Sequence, residues 1–324
     1  PGSNLAYLDL SETAVGDTIP SMVGEFHQLT ELQLFGTAIN GTIPSEIGRL
    51  TSLSVDFSVN NCLLEGTIPS EIGLLQRLRV LFVDRNALGG TIPTELGRMT
   101  ALETFEGGFN RIIGAVPTEI GNCAALQSFG VFQNMLNGSV EELIRVMPST
   151  LQHLFIGDNE FAGSIPTSIG RLRGLQLFNG RRLDLPGTLP SEIGRLMSLT
   201  GLYLISNRLT GTLPSTIGLM TDLQHLELGS NRFSGALPDQ LSTLNQLAGL
   251  DISANQFTGS PAILTGLRSL TSLHIHQNPF DDIDGLCDKT WVEFAANSCN
   301  TPVFDCSCCT ECCRTGGRTN CQSV

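Results

Sequence analysis

Ten cysteines and a His-x-His pair are the residues whose chemistry has to be assigned first. Eight of the cysteines (Cys287, Cys299, Cys306, Cys308, Cys309, Cys312, Cys313 and Cys321) crowd the C-terminal end. Such density suits disulfides in an oxidising compartment. The vicinal pairs Cys308-Cys309 and Cys312-Cys313 lack the two-plus-two spacing of zinc modules, and no histidine follows His276. Disulfides are therefore favoured over zinc, with the connectivity left open. Cys62 and Cys123 stand apart, inside the regular part of the chain, and read as buried, unpaired thiols. Nothing near either supplies the electropositive, exposed setting of a catalytic thiol. His274-x-His276, with Asp251 and Glu227 one and two periods upstream, has ligand types that a divalent metal accepts. Solvated polar strand residues look the same, so no metal is assigned. No Ser/His/Asp set, phosphate loop or isolated carboxylate pair stands out. The expectation is a binding protein with no catalytic residue and no cofactor, not an enzyme.

The elements that must carry these residues follow from a repeat. Thr-Ile-Pro recurs at Thr18, Thr42, Thr67 and Thr91, with relatives at Val116-Pro117, Ile165-Pro166, Leu189-Pro190, Leu213-Pro214 and Leu237-Pro238. The spacing is 24 residues, occasionally 25 and once 23, over units that open at Leu5, Leu29, Leu53 and onward to Leu270. In the unit from Leu199, Leu202 and Leu204 alternate with polar or variable neighbours, which predicts a half-buried strand. Leu199, Leu209, Leu213 and Ile217 point inward, so each coil closes around an apolar column that only stacked neighbours can bury. Asn207 stands where the chain leaves the strand, and its amide can serve backbone groups of adjacent coils. Leu183 is the one strongly apolar occupant of that column, so the coil from Leu175 is expected to rearrange locally.

The pattern Leu-x-x-Leu-x-Leu-x-x-Asn-x-Leu-x-Gly-x-Ile-Pro-x-x-Ile-Gly-x-Leu resembles the plant-type subclass of leucine-rich repeats. That resemblance implies an α/β fold: a right-handed solenoid with a concave parallel sheet, a side sheet and 3₁₀ segments on the convex side. It also implies ectodomains of receptor kinases, receptor-like proteins and secreted inhibitors of wall-degrading enzymes, which function without catalysis. The tail Cys306-Ser307-Cys308-Cys309-Thr310-Glu311-Cys312-Cys313 is similar to repeat proteins of diatoms and related algae.

The domain reading is residues 1–4 as a cloning scar and start of the solenoid, 5–280 as about twelve repeats, and 281–324 as a Cys-rich C-terminal cap. Asp288 to Asn297, with Asp288 as N-cap, is expected to form a short capping helix. Net charge is −13, from 18 Lys+Arg against 31 Asp+Glu, which argues against nucleic acid. No apolar run has the length of a membrane span. Sequons at Asn40 and Asn137 predict glycosylation and, with the cysteines, an extracellular location, secreted or as the ectodomain of an anchored protein.

Folding alone does not account for every aromatic. Phe26, Phe57, Phe105, Phe129, Phe161, Phe178, Phe233, Phe257 and Phe280 fall in core columns. Phe35, Phe82, Phe109, Phe132 and Phe155 fall on the concave face, extended by Tyr203 and Ile205. Contiguous exposed apolar surface marks binding sites, and aromatics are common interface anchors. Gly108, Gly130 and Gly157 are expected to leave gaps for a ligand backbone, and Arg181 and Arg182 to pair with a carboxylate or sulfate. The candidate ligand-binding residues are Phe82, Phe109, Phe132, Phe155, Arg181, Arg182, Tyr203 and Ile205. The expected partner is a protein or peptide, or a glycan, in signalling, adhesion or defence, with a co-receptor as a further partner; without ligand the chain is expected to be a monomer. A secreted inhibitor of a polysaccharide-degrading enzyme is the alternative. A wall-associated or ice-binding protein using the regular threonine flank is the third reading.

Overall fold

The computed structural model describes residues 4–281, 283 and 286, together with the backbone of a strand at Glu293–Ala295. Two compact units divide the chain, Pro1–Ala162 and Gly163–Val324. All eight C-terminal cysteines, and with them the expected disulfides, lie outside the described residues. Among the described residues no helix is long and apolar enough to cross a membrane.

In the first unit every coil contributes one short strand to a parallel sheet. Its order is Tyr7–Asp9, Glu31–Gln33, Asp56–Ser58, Val80–Phe82, Thr104–Glu106, Ser128–Gly130 and His153–Phe155. The register is uniform, with Leu8 on Leu32, Phe57 on Leu81 and Phe105 on Phe129. Period-2 alternation therefore sends Leu32, Phe57, Leu81, Phe105 and Phe129 into the core, where all are fully buried. Phe105 and Phe129 stack with centroids 5.6 Å apart. Phe26 departs from the core reading, since in the first coil it is only half-buried. On the flank, Gly16–Thr18, Ala38–Thr42 and Leu63–Glu65 form one side sheet, and Ile113–Ala115 pairs with Met135–Asn137.

The Ile-Pro step starts the return path. Pro44 sits at φ −70°, ψ 144°, an extended entry that its ring favours, and Ser45–Arg49 follow as one 3₁₀ segment. A Cβ added at Gly48 would lie 2.7 Å from the Glu71 carbonyl of the next coil. Glycine there sets how closely coils stack. One coil breaks the rule: Val140–Val146 is an α-helix, capped by Ser139, whose hydroxyl accepts from the amides of Glu141 and Glu142. That coil has no Ile-Pro, and Ser139 with Glu142 forms a helix-start signature instead.

The second unit repeats the scheme with strands Leu177–Asn179, Gly201–Tyr203, His225–Glu227, Gly249–Asp251, Ser272–His274 and Glu293–Ala295. The last of these corrects the expected helix over 288–297. Glu293–Ala295 pairs in parallel with Ser272–His274, because an open sheet edge offers backbone partners that compete with local helix propensity. Phe233, Phe257 and Phe280 stack in sequence at 6.0 and 6.4 Å.

The asparagine column works as a hydrogen-bond ladder. Asn86 donates to the carbonyls of Val59 (2.8 Å) and Val83 (3.2 Å) and accepts from the Leu64 amide at 3.0 Å. Cys62 occupies the same column, buried, its thiol donating to the Leu34 carbonyl at 3.2 Å and lying 3.3 Å from the Thr37 hydroxyl. Cys123 is buried and free, and burial pushes its thiol up to about 11. At Leu183 the ladder changes. Asn207 accepts from both the Leu183 amide (3.1 Å) and the Leu185 amide (3.0 Å), and Asp184 takes φ +58°. No other described residue of Asp184's column has a positive φ.

Candidate ligand-binding surface

On the first unit, Phe82, Phe109, Phe132 and Phe155 are all half-buried on the concave side. Their positions follow from register: Phe82 pairs with Glu106, Glu106 with Gly130, and Gly130 with Phe155. Phe109 stands one turn beyond its strand at φ +53°, and its ring meets Phe132 at 5.4 Å with a 52° tilt, a favourable aromatic geometry. Arg85 lays its guanidinium carbon 4.4 Å above the Phe109 ring, a cation–π contact, with its Nε 3.7 Å from Asp84. His153 stacks beside Phe155 at 6.2 Å.

The glycine gaps expected at Gly108 and Gly130 are absent. The carboxylate of Glu106 leans over Gly130, where a Cβ would collide with it. At Gly108, a Cβ would lie 2.9 Å from the Phe132 carbonyl. Backbone and a neighbouring side chain fill these spaces, since the next coil stacks about 4.8 Å away. Glu106 accepts a 2.9 Å hydrogen bond from Ser128. Burial raises its carboxyl to about 7, Ser128 opposes the rise and the charge of Asp84 adds to it. Asp56 and Asp84 are raised in the same sense, each mainly by burial. Glu106 was not singled out from the sequence, which also passed over Ser128, His153 and Arg85. Only the alternation of strand residues could have found the first two.

On the second unit, Arg181, Tyr203 and Ile205 are half-buried and Arg182 is exposed. Tyr203 folds back over Gly201, whose Cβ would come within 2.6 Å of the ring. Its hydroxyl is raised, first by burial and then by the charge of Glu227. Glu227 is raised by burial and by Asp251, against the opposing fields of His225, Arg181 and His274. The field of Arg181 thus reaches a carboxylate of its own unit. Asp251 accepts from the Ser253 amide (2.9 Å) and hydroxyl (2.6 Å), and His274 and His276 lie 6.2 Å apart. Among the described residues no group of His, Cys, Asp and Glu has an arrangement that would hold a metal ion.

The flank is regular for a packing reason. A Cβ at Gly41 or Gly66 would lie 2.8 Å from the methyl of Thr18 or Thr42 in the preceding coil. The threonine column therefore packs against the glycine column of the next coil. Asn40 and Asn137, both exposed, lie on these side strands and not on the concave sheet.

Leucine-rich-repeat family models match residues 197–257 and 150–172. No curated protein matches the chain. Solved structures do. A TDR receptor is 32% identical with a TM-score of 0.79, covering 87% of this chain and 53% of that one. The ectodomain of the Arabidopsis receptor kinase HAESA, in complex with an N-terminally extended IDA peptide hormone, is 27% identical with a TM-score of 0.78, covering 90% and 53%. The plant peptide hormone receptor RGFR1, in complex with RGF2, is 32% identical with a TM-score of 0.73, covering 84% and 47%. The chain thus spans about half the length of these receptor chains. Periodic leucines, asparagine ladder and family match agree: residues 150–172 and 197–257 are leucine-rich repeats, and the coils of the chain are similar to those of plant receptor ectodomains.

Proposed function

We propose that this chain is an extracellular recognition module that captures a peptide or an extended protein segment on the concave face of its first unit. One observation carries the reading. Phe57, Phe105 and Phe129 of this unit are fully buried, while Phe82, Phe109, Phe132 and Phe155 keep part of each ring open on neighbouring coils. Coil closure uses the first set and has no use for the second. The similar HAESA and RGFR1 ectodomains are complexes with a peptide hormone and with RGF2, which supports a peptide as ligand and signalling as the role. A second stretch, Arg181, Arg182, Tyr203 and Ile205, belongs to the same reading on the second unit's own sheet face. Asn40 and Asn137 would carry glycans on the flank, leaving the concave side open. The threonine flank gives no comparable support to an adsorbing surface, because its regularity has a packing cause.

The test is capture from the medium of the source cells by the immobilised chain and by Phe132→Ala and Phe155→Ala. Truncation of an aromatic anchor costs about 2 kcal/mol or more, roughly thirtyfold in affinity. Capture should fall by that factor in each variant with the thermal midpoint nearly unchanged. Two variants that capture like the parent would sink the proposal.

A further inference from the structure

The concave face of the first unit is an unpartnered sheet face, and its charge says what it is built to receive. Its strands carry the carboxylates of Asp9, Glu31, Asp56 and Glu106 and no lysine or arginine; Asp84 follows two residues beyond the strand Val80–Phe82, which Arg79 and Arg85 flank. The aromatic rings stand among these acids: Phe82 and Gly130 flank Glu106 on the two adjoining strands. Glu106 is largely withdrawn from water, and among the described residues its side-chain hydrogen-bond partner is the neutral Ser128 hydroxyl. The charge nearest to it in effect is another carboxylate, Asp84. At the rim, by contrast, Arg85 already rests a guanidinium on Phe109 beside Asp84. The same ring-and-carboxylate surface that holds a cation at its rim is without one at its centre.

We propose that the peptide taken by this face presents a lysine or arginine whose cation lies against the Phe82 and Phe132 rings and pairs with Glu106. This rests on the concave-face reading above and adds the chemical class of the anchor. A guanidinium or ammonium gains there on two counts, from the ring faces and from a carboxylate shielded from water. A peptide anion would meet the carboxylates of Asp56 and Glu106 on these strands. Glu106 leans over Gly130, and of its two oxygens Oε1 accepts from the Ser128 hydroxyl.

A phage-displayed octapeptide library panned on the whole chain at pH 8 tests this. Selected peptides should share a lysine or arginine. Their affinity should fall about thirtyfold on Glu106→Gln, as for loss of one member of a shielded charge pair, and on replacement of that residue by norleucine. Phe132→Ala should weaken them as well. Peptides without a common basic residue, weakened by Phe132→Ala but indifferent to Glu106→Gln, would overturn the cationic anchor and leave the concave-face reading standing. Peptides indifferent to both variants, or no selected peptide at all, would overturn both. Should Glu106→Gln fail to fold, the norleucine peptides on the parent chain decide.

Discussion

Glu106 and Gly130 face each other across adjacent strands, and the carboxylate of the first occupies the volume that a side chain on the second would need. The arrangement removes an ionisable group from water without a cation to compensate it, and the consequence is a pH dependence whose sign can be worked out. The Glu106 carboxyl lies near 7 in the fold against 4.5 for the ordinary group. The folded chain therefore favours the protonated form. Its contribution to stability is complete below the unfolded value and is lost as pH rises through 7. Glu106→Gln should stabilise the chain above pH 8 by on the order of 1–3 kcal/mol, allowing for partial exposure. The gain should vanish below about pH 4.5. Thermal midpoints of both proteins from pH 4 to 9 check this; a constant offset would mean that Glu106 does not titrate as described.

Gly130→Ala addresses the same pair from the other side. The added methyl should drive the carboxylate off the strand toward water, and the Glu106 carboxyl should fall toward its ordinary range. The glutamate end is flexible, so the fold should tolerate the change. Carboxyl chemical shifts followed by NMR titration read the result directly. An unaltered titration would place the Glu106 side chain elsewhere.

The ladder predicts a stability effect of a different kind. Asn159 is buried, donates to the carbonyls of Val131 (2.9 Å) and Ile156 (3.0 Å), and accepts from the Leu136 amide at 3.0 Å. Asn159→Ala strands these buried groups at roughly 1–3 kcal/mol each where no water can reach. A total loss of about 2–4 kcal/mol is expected in denaturant unfolding. A loss below about 0.5 kcal/mol, the range of ordinary surface substitutions, would show that the ladder is dispensable at this coil.

Cys62 and Cys123 should resist alkylation in the native chain at pH 8 and react fully in denaturant. Burial opposes attack at both, and at Cys123 a thiol near 11 leaves about one part in a thousand as thiolate. Mass mapping of their peptides measures this. Rapid native labelling of Cys123 would contradict its place in the core.

How much of this could be read beforehand varied with the range of the cause. Coil period, strand alternation and the core positions of Phe57, Phe105 and Phe129 were legible, because each is a local pattern repeated many times. Phe82, Phe109, Phe132 and Phe155 could be assigned to the open face by elimination from the core columns. The role of Glu106 could not. It depends on which residue stands opposite one coil later, and nothing near Glu106 in sequence announces Gly130. The α-helix at Val140–Val146 was missed although Ser139 and Glu142 mark its start, since the surrounding repeat suggested another 3₁₀ turn. At Glu293–Ala295 the error ran the other way: local helix signals were overridden by pairing with an open strand.

Each coil also holds one residue in the left-handed region just before its ladder position, from Glu12 (φ 55°) through Arg85, Phe109 and Arg182 to Gln277 (φ 57°). Only Gly36 fills that column with a glycine. For any other residue the conformation costs about 1 kcal/mol, so every coil but that of Gly36 keeps a side chain at its rim at some expense to its own folding. That column works as a row of interchangeable mounts. The backbone there is dictated by the turn, whatever residue it bears. Exchanging Arg85, Phe109 or Gln133 should alter what the rim displays while the coil beneath keeps its path. A repertoire of rims could thus be raised on one unchanged scaffold.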